Sequence, residues 1–267
     1  MIVDFHSHTS ESDGTLSPQA LADFMGKRGV EFFSISDHDT MSAYGQFEPP
    51  AGSHVVTGVE INTTYKQNEV HVLGYGLPSG GPEFLAVMER NRGARYERAQ
   101  RMVAQLQRAG YSVTFEQVLA QAPDAKALGR PHVAKALIAS GAAPDVDWAF
   151  RHLLRSGMPG YVPSLYITPQ QAIDVIVQAG GIPVLAHPGR LKDRALIDEL
   201  APCGLRGLEV FYPLHDELDV QAFRDAARRY GLVMTAGMDF HDIRYHARGV
   251  GMEVAREDIA PFLELVT

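Results

Sequence analysis

Short apolar runs and longer helical stretches alternate along the first part of the chain. Ser17 followed by a proline predicts the start of a helix that ends at Gly29, because proline is favoured at the first helical position and glycine just beyond the last. A segment rich in arginine and glutamate, with its apolar residues at helical spacing, predicts one long helix over 82–110. The apolar runs predict strands at 2–5, 32–36, 55–59 and 70–73.

The middle of the chain, over 111–163, has a different character. It is rich in alanine, it lacks strand-like alternation, and prolines such as Pro123, Pro131, Pro144 and Pro159 interrupt it. We therefore predict a helical insertion that consists of several short helices.

Strands and helices alternate again after the insertion. Alternating strand–helix units predict parallel strands with helices packed outside them. The number of units and the chain length favour an α/β barrel of about seven or eight strands over an open sheet. The predicted helices are 168–179, 193–200 and 216–230, and the predicted strands are 182–186, 208–211 and 232–236.

Histidines and carboxylates at the strand ends give the first indication of chemistry. His6 and His8 leave the first strand two residues apart, so both side chains point to the same side and can bind one ion. Asp13 follows in a polar loop that can fold back over the strand end. Two polar histidines that simply end a strand are the alternative explanation.

The same pattern recurs along the chain. His38 follows the second predicted strand, Glu60 lies just past the third, and His71 lies within the fourth. Because the carboxyl ends of barrel strands converge on one face, such residues would meet in one pocket. We therefore predict a metal-dependent active site, and its nine members are His6, His8, Asp13, His38, Glu60, His71, His187, Asp239 and His241.

The order of these residues resembles the motifs of the polymerase and histidinol phosphatase (PHP) family of metal-dependent phosphoesterases. The resemblance spans the chain apart from the insertion, and the last motif departs from the family's usual Ser-Asp-x-His-Gly only in its flanks. It implies a distorted (β/α)7 barrel over 1–110 and 164–267, with the helical insertion over 111–163 capping the active site. The matching segments are His6-x-His8, Asp13, Ser36-Asp37-His38, Glu60, His71, Ala186-His187-Pro188 and Asp239-x-His241.

The resemblance also implies how metal ions are held. Two to three divalent ions are expected, with manganese favoured and iron or zinc as alternatives, because imidazole and carboxylate ligands without sulfur suit all three metals. Asp37 and Asp39 are predicted to orient imidazoles through hydrogen bonds, with solvated acids of a loop as the alternative. The first ion would be held by His6, His8, Glu60 and Asp239, the second by Glu60, His71 and His187, and the third by Asp13, His38 and His241.

Residues outside the metal motifs are candidates for substrate binding. The segment Gly129-Arg130-Pro131-His132 is similar to one in the PHP subgroup that hydrolyses nucleotide 3′-phosphates, so Arg130 and His132 are predicted to bind phosphate. Arg190 and His215, near later strand ends, are further candidates. A packing or surface role is the alternative for each of the four.

The resemblance to this family and its subgroup implies three functional hypotheses. The first is a phosphatase that removes the 3′-phosphate of nucleoside 3′,5′-bisphosphates by means of a metal-bound hydroxide, with amide hydrolysis as the rival chemistry. The second is a 5′-3′ exoribonuclease on short 5′-phosphorylated oligonucleotides, because both substrates present equivalent atoms to the metals. The third is a non-catalytic metal-binding PHP module, although such modules usually lose ligands and this chain keeps all nine.

Composition excludes several classes of protein and of metal site. Among its 267 residues the chain has 11 histidines, one cysteine and a formal charge of −8. One cysteine excludes a disulfide framework and a cysteine-built zinc site, and no apolar run reaches the roughly 18 residues of a transmembrane helix. The acidic balance argues against a diffuse polyanion binder. We expect a cytoplasmic enzyme that acts on a nucleotide or short oligonucleotide without an obligatory protein partner.

Two further groups of residues complete the predictions. The long helix carries a basic run, which we predict to be a solvated face; if it faced the pocket it would favour a polyanionic substrate. The run consists of Arg90, Arg92, Arg95, Arg98 and Arg101. The remaining histidines without a motif are predicted to be surface or packing residues, and they are His54, His152 and His246.

Overall fold

The computed structural model of the chain describes residues 1–78, 81–244 and 249–267, and its strands form two sheets. The first sheet has the order β3-β2-β1-β9, where β1 is Ile2–Asp4, β2 is Phe32–Phe33, β3 is His54–Val55 and β9 is Met252–Glu253. The second has the order β4-β5-β6-β7-β8, where β4 is Gly58–Tyr65, β5 is Asn68–Tyr75, β6 is Ile182–Leu185, β7 is Gly207–Phe211 and β8 is Val233–Ala236.

The predicted helix starts are confirmed where a capping side chain marks them. Ser17, Thr168 and Asp216 each accept a hydrogen bond from a backbone N–H in the first turn of the helix that follows. The helices are α1 Pro18–Lys27, α2 Pro82–Arg108, α3 Phe115–Ala120, α4 Arg130–Ala139, α5 Val146–Ala149, α6 Pro169–Gln178, α7 Leu196–Leu200, α8 Glu217–Tyr230 and α9 Arg256–Val266. The final strand and helix, β9 and α9, were not predicted.

The prediction of an all-parallel sheet is wrong. Strands β1, β2 and β3 are parallel, as are β6, β7 and β8, but β5 is antiparallel to both β4 and β6, and β9 is antiparallel to β1. The reason is the two-residue connection between β4 and β5. Lys66 and Gln67 both have positive φ, 46° and 63°, which is the geometry of a tight hairpin. Glu60 accordingly lies inside β4 and not past a strand end.

The two sheets meet through hydrogen bonds from residues that follow β1 and β2 to residues of β8 and β4. The Phe5 N–H donates to the Ala236 carbonyl at 2.9 Å, and the Asp39 N–H donates to the Glu60 carbonyl at 2.9 Å. Bridges also pair Ser7 with Phe240 and His38 with Glu60. The mixed α/β class is confirmed, whereas a single closed barrel sheet is not, because these joins are isolated bridges.

The predicted helical character of the middle segment is confirmed. The structure describes all of 111–163, and no strand occurs there. Its apolar residues, Leu137 and Leu154 among them, pack against Met102 and Leu106 of α2 in a hydrophobic cluster of their own. A separate cluster that includes Phe5, Tyr75 and Phe262 lies between the sheets and the outer helices. None of the described helices is long and apolar enough to cross a membrane.

Candidate metal centre

The loop after β1 is held in place by a buried carboxylate. Asp4 accepts hydrogen bonds from the backbone N–H groups of His6, Met238 and Gly251, at 3.2, 3.0 and 3.0 Å. Burial raises the pKa of Asp4 to about 6, although the three N–H donors oppose that shift. Asp4 therefore ties the His6 loop to the segment that carries Asp239.

Four of the predicted ligands form the centre of the site. His6 Nε2 lies 3.3 Å from Glu60 Oε1, and His8 Nε2 lies 3.2 Å from Glu60 Oε2 and 3.3 Å from Asp239 Oδ1. All four residues are buried. One nitrogen or oxygen from each lies within 4.8 Å of the others, which is close enough for all four to contact one cation.

The other predicted ligands surround this centre. Two further groups fall within the same 4.8 Å limit, and they are His8, Asp13, His38 and His241, and His38, Glu60 and His71. His187 belongs to none of the three groups, but its Nε2 lies 3.2 Å from Glu60 Oε1. The structure thus brings all nine residues together. It groups His38 with Glu60 and His71, whereas the family pattern implies His187 in that position.

Unpartnered polar atoms show that this cluster fits a cation. Eight buried side-chain nitrogens or oxygens among the described residues lack a hydrogen-bond partner, and six of them belong to the cluster. Such atoms are costly to bury, because each loses its bonds to water. The six are His6 Nε2, His8 Nδ1, His8 Nε2, Asp13 Oδ1, His38 Nδ1 and Glu60 Oε2. Converging imidazole and carboxylate donors are the ligands that divalent transition metals take.

The charges in the cluster also favour a cation. Burial would raise the pKa of Glu60, but the neighbouring imidazoles of His71 and His6 hold it well below its usual range. Burial opposes protonation of His8, yet the carboxylates of Asp239 and Glu60 raise its pKa to about 10. Burial lowers the pKa of His38 to about 4. The lowered pKa of Glu60 favours its ionised form, which attracts positive charge to the site.

Glu209 in β7 is a site residue that the sequence did not reveal. Its Oε1 lies 2.9 Å from His6 Nδ1, and its Oε2 accepts the backbone N–H of His187 at 2.7 Å. A glutamate inside the apolar run Leu208–Phe211 was the available signal, because a fully buried carboxylate requires partners.

Two arginines of α2 correct the prediction of a solvated helix face. Arg95 and Arg98 are buried and line the pocket beside the cluster, whereas Arg90 and Arg101 are exposed as predicted. The Arg95 Nε donates to Asp39 Oδ2 at 2.6 Å, and the Arg98 Nε donates to the Val162 carbonyl at 2.9 Å. The face that α2 turns towards the pocket is therefore basic.

The predicted role of Asp37 and Asp39 is wrong in its detail. Asp37 accepts bonds from the Thr9 N–H and hydroxyl, at 2.7 and 2.5 Å, and from the Ser12 hydroxyl at 2.5 Å. Asp39 accepts from Arg95 and from the Asn62 N–H. The described bonds of both carboxylates order the loops that carry ligands and do not run to imidazoles.

Of the four predicted substrate-binding residues, two line the pocket. Arg130 has a side chain 29% exposed, and its Nη2 donates to Glu69 Oε2 at 2.6 Å. Arg190 lines the pocket as well, and its Nη1 lies 3.2 Å from Asp239 Oδ2 and 3.3 Å from the Tyr212 hydroxyl.

The other two have structural positions. His132 is 2% exposed, and its Nδ1 accepts the Gly129 N–H at 3.0 Å, which completes the start of α4. His215 Nε2 accepts the Gly189 N–H at 3.0 Å, and its Nδ1 lies 2.9 Å from the Val210 carbonyl. Because these rings already bond the backbone, the structure supports the packing alternative for both.

The histidines without a motif lie away from the cluster where the structure describes them. His54 stacks on Phe32, and His152 stacks on Trp148. Both contacts agree with a packing role. His246 lies outside the described residues.

Comparison with known proteins places this site in a family. The chain is 33% identical, over 97% of its length and 93% of the relative, to a 3′,5′-nucleoside bisphosphate phosphatase of Chromobacterium violaceum. It is 32% identical, over 90% of its length and 85% of the relative, to the 5′-3′ exoribonuclease Rnm of Escherichia coli. A structure described as an amidohydrolase from Chromobacterium violaceum, solved with bound sulfate and no metal, superimposes with a TM-score of 0.88 at 30% identity. That match covers 98% of this chain and 95% of the other.

These similarities decide the class of protein. No protein-family model matches the chain. The chain nevertheless belongs to the PHP family of metal-dependent phosphoesterases, because it matches curated members of that class over nearly its full length. The family resemblance of its motifs is thereby confirmed.

Proposed function

We propose that this protein removes the 3′-phosphate from nucleoside 3′,5′-bisphosphates. The observation that carries the proposal is that one pocket has two unlike walls. One wall is the cluster of imidazoles and carboxylates, and the other carries arginines and aromatic rings. The second wall includes Arg95, Arg98, Arg130, Phe150 and Tyr166. A phosphorylated nucleotide has a group to match each wall.

The nine clustered residues would hold two to three divalent cations, with manganese as the preferred metal. When bound, such cations would polarise the phosphoryl group, lower the pKa of a water molecule and stabilise the leaving oxygen. His6, His8, Glu60 and Asp239 are the residues proposed to hold the first cation, since their donor atoms converge. Arg190, beside Asp239, would orient the phosphate against this centre through its guanidinium group.

The arginine wall would select for a second phosphate. Arg98 and Arg130 both pair with the carboxylate of Glu69, so this group of three carries a net positive charge. A phosphate can replace the Glu69 carboxylate as the partner of these guanidinium groups, because arginine binds carboxylate and phosphate with the same geometry. The rings of Phe150 and Tyr166 offer apolar surface to a nucleobase.

The helical insertion would cap this pocket. Leu128, Arg130, Val133 and Phe150 all come from 111–163 and line it. Below the cap we propose a distorted seven-stranded barrel, which is supported by the bridges that join β1 to β8 and β2 to β4 beyond the ends of β1 and β2. The manganese preference and the cytoplasmic location stay predictions.

A 5′-3′ exoribonuclease is the second candidate, and one observation favours it. Neighbouring cavities share Arg130 and Arg190 with the main pocket and continue past Lys66 and Lys192. A longer substrate would find further positive charge there, since each phosphate of an oligonucleotide needs a counter-charge.

Steady-state assays with two substrates side by side test the proposal. The manganese-loaded protein is given adenosine 3′,5′-bisphosphate and a 5′-phosphorylated dinucleotide at equal concentrations. Higher kcat/KM on the bisphosphate supports the phosphatase, and higher kcat/KM on the dinucleotide supports the exoribonuclease instead. Turnover of neither would overturn both and leave a non-catalytic metal-binding module.

A further inference from the structure

Strand β7 contributes no predicted metal ligand, yet it contacts the residues around the cluster at several points. Glu209 is fully buried on this strand and has two polar contacts, His6 Nδ1 at 2.9 Å and the His187 N–H at 2.7 Å. We infer that Glu209 is a positioning residue that fixes the His6 imidazole and the His187 turn for metal binding. This inference rests on the metal binding that the proposed function requires, and not on the hydrolysis itself.

The contact with His6 favours one tautomer of the ring, in which the nitrogen that faces the cluster carries a lone pair and no hydrogen. We take the Glu209 oxygen as the acceptor of this 2.9 Å contact, so that Nδ1 of His6 is the nitrogen that donates towards Glu209. His6 Nε2 is then free of hydrogen in the neutral ring. It lies 3.3 Å from Glu60 Oε1 and is one of the unpartnered atoms of the cluster. A carboxylate behind a ligating imidazole also raises its basicity.

The contact with His187 holds a backbone conformation that is unfavourable by itself. His187 has a φ of 29°, a value that residues other than glycine rarely adopt. The short bond from its N–H to Glu209 supports that conformation. His215 supports the same turn two residues later, where its Nε2 accepts the Gly189 N–H at 3.0 Å. Strand β7 and the loop after it therefore anchor the turn at two successive points.

The backbone of the neighbouring segment leaves room for this arrangement. A Cβ atom on Gly237 would lie 2.5 Å from Glu209 Oε1 and 2.3 Å from His6 Cβ. Any side chain at Gly237 would displace one of the two partners. Glycine at this position thus permits the close approach of Glu209 and His6.

The substitution Glu209→Gln tests the inference with little change in volume. A glutamine can present only one oxygen. It must therefore either donate to His6 Nδ1, which moves the ring proton to Nε2, or face the His187 N–H with a second donor. We expect the dissociation constant for Zn²⁺ or Mn²⁺ alone to rise 10- to 100-fold, measured by competition with a chromogenic chelator. Asp258→Asn is the matched control. Asp258 is a buried acid that pairs with Arg224, and neither residue belongs to the cluster. This control should lower Tm without changing metal affinity.

Two measurements keep the inference open to refutation. An unchanged metal dissociation constant in Glu209→Gln would overturn it, whatever the phosphatase activity. In the zinc-loaded wild-type protein, ¹⁵N NMR should show a protonated Nδ1 on His6, and a protonated Nε2 would contradict the inference even if the variant does not fold. A wild-type protein that binds metal but hydrolyses no nucleotide would reject the proposed function and leave Glu209 as assigned.

Discussion

The two walls of the pocket differ in whether their buried polar atoms already have hydrogen-bond partners. On the cluster wall, buried nitrogens and oxygens of His6, His8 and Glu60 lack hydrogen-bond partners. On the opposite wall each buried guanidinium is already bonded, as Arg95 is to Asp39 and Arg98 to the Val162 carbonyl. The first wall therefore gains new bonds when a cation binds, whereas the second must exchange existing bonds for those of a ligand. We expect metal binding to stabilise the fold, and phosphate binding to depend on a smaller difference in free energy.

The largest expected effect follows from removing a ligand from the cluster. Asp239→Ala or His6→Ala should lower kcat/KM on the order of 10³-fold or more, since several kcal/mol of transition-state stabilisation depend on the bound cations. Metal content should fall, while far-UV circular dichroism should stay nearly unchanged. Asp258→Asn serves as the control for substitution of a buried acid. Retained activity in either variant would refute the assignment of that residue as a ligand.

Metal removal should lower the free energy of unfolding through the cluster wall and not through the arginine wall. A cation that binds only the folded chain raises its free energy of unfolding by about 2.7 kcal/mol at a hundredfold excess over Kd. Differential scanning calorimetry should therefore show a lower Tm after chelation and recovery on adding Mn²⁺. The variant Arg130→Ala should keep this metal-dependent shift. A Tm that is indifferent to the chelator in the wild type would mean that the cluster wall is complete without a cation.

A smaller effect is expected on the arginine wall. Arg130→Ala should raise KM for adenosine 3′,5′-bisphosphate roughly tenfold, because a charged hydrogen bond to phosphate is lost. The loss is limited because Arg130 must give up its hydrogen bond to Glu69 in order to bind phosphate. KM for a simple aryl phosphate should change little. Arg101→Ala, an exposed arginine of α2, is the matched control. Equal changes for both substrates would remove Arg130 from substrate recognition.

The smallest effect concerns pH and the start of α4. Burial lowers the pKa of His132 from 6.5 to about 4. As pH falls below 6.5 the unfolded chain takes up this proton first, so the contribution of neutral His132 to the free energy of unfolding is complete above 6.5 and is lost towards pH 4. His132→Gln keeps an acceptor for the Gly129 N–H but does not titrate. The Tm of the metal-free wild type should fall relative to this variant between about pH 7.5 and about pH 5. A constant difference would show that folding does not lower the pKa of His132.

Local signals account for the parts of the fold that the sequence predicts. Ser17, Thr168 and Asp216 begin helices because their side chains bond the first turn, and that information lies within a few residues. The hairpin between β4 and β5 escaped prediction because its turn residues, Lys66 and Gln67, are not the usual glycine or asparagine. Without that hairpin, the alternating pattern predicts only parallel strands.

The candidate site divides in the same way. Predicted ligands such as His8 and His38 lie a few residues past β1 and β2, so their convergence can be predicted from the order of elements. Glu209 acts on His6 across 203 residues, and no local pattern indicates that contact. Arg95 and Arg98 are buried only because α2 packs against the insertion and the β4–β5 hairpin, which is a tertiary property of the chain.

Anomalous diffraction at the manganese edge, on crystals of the active protein grown with Mn²⁺, tests the central claim most directly. We predict at least two manganese peaks within the cluster. One should lie in coordination contact with His6 Nε2 and Asp239 Oδ1, and crystals of Asp239→Ala should lose it. A protein that hydrolyses the bisphosphate while manganese is missing from this cluster would contradict the account.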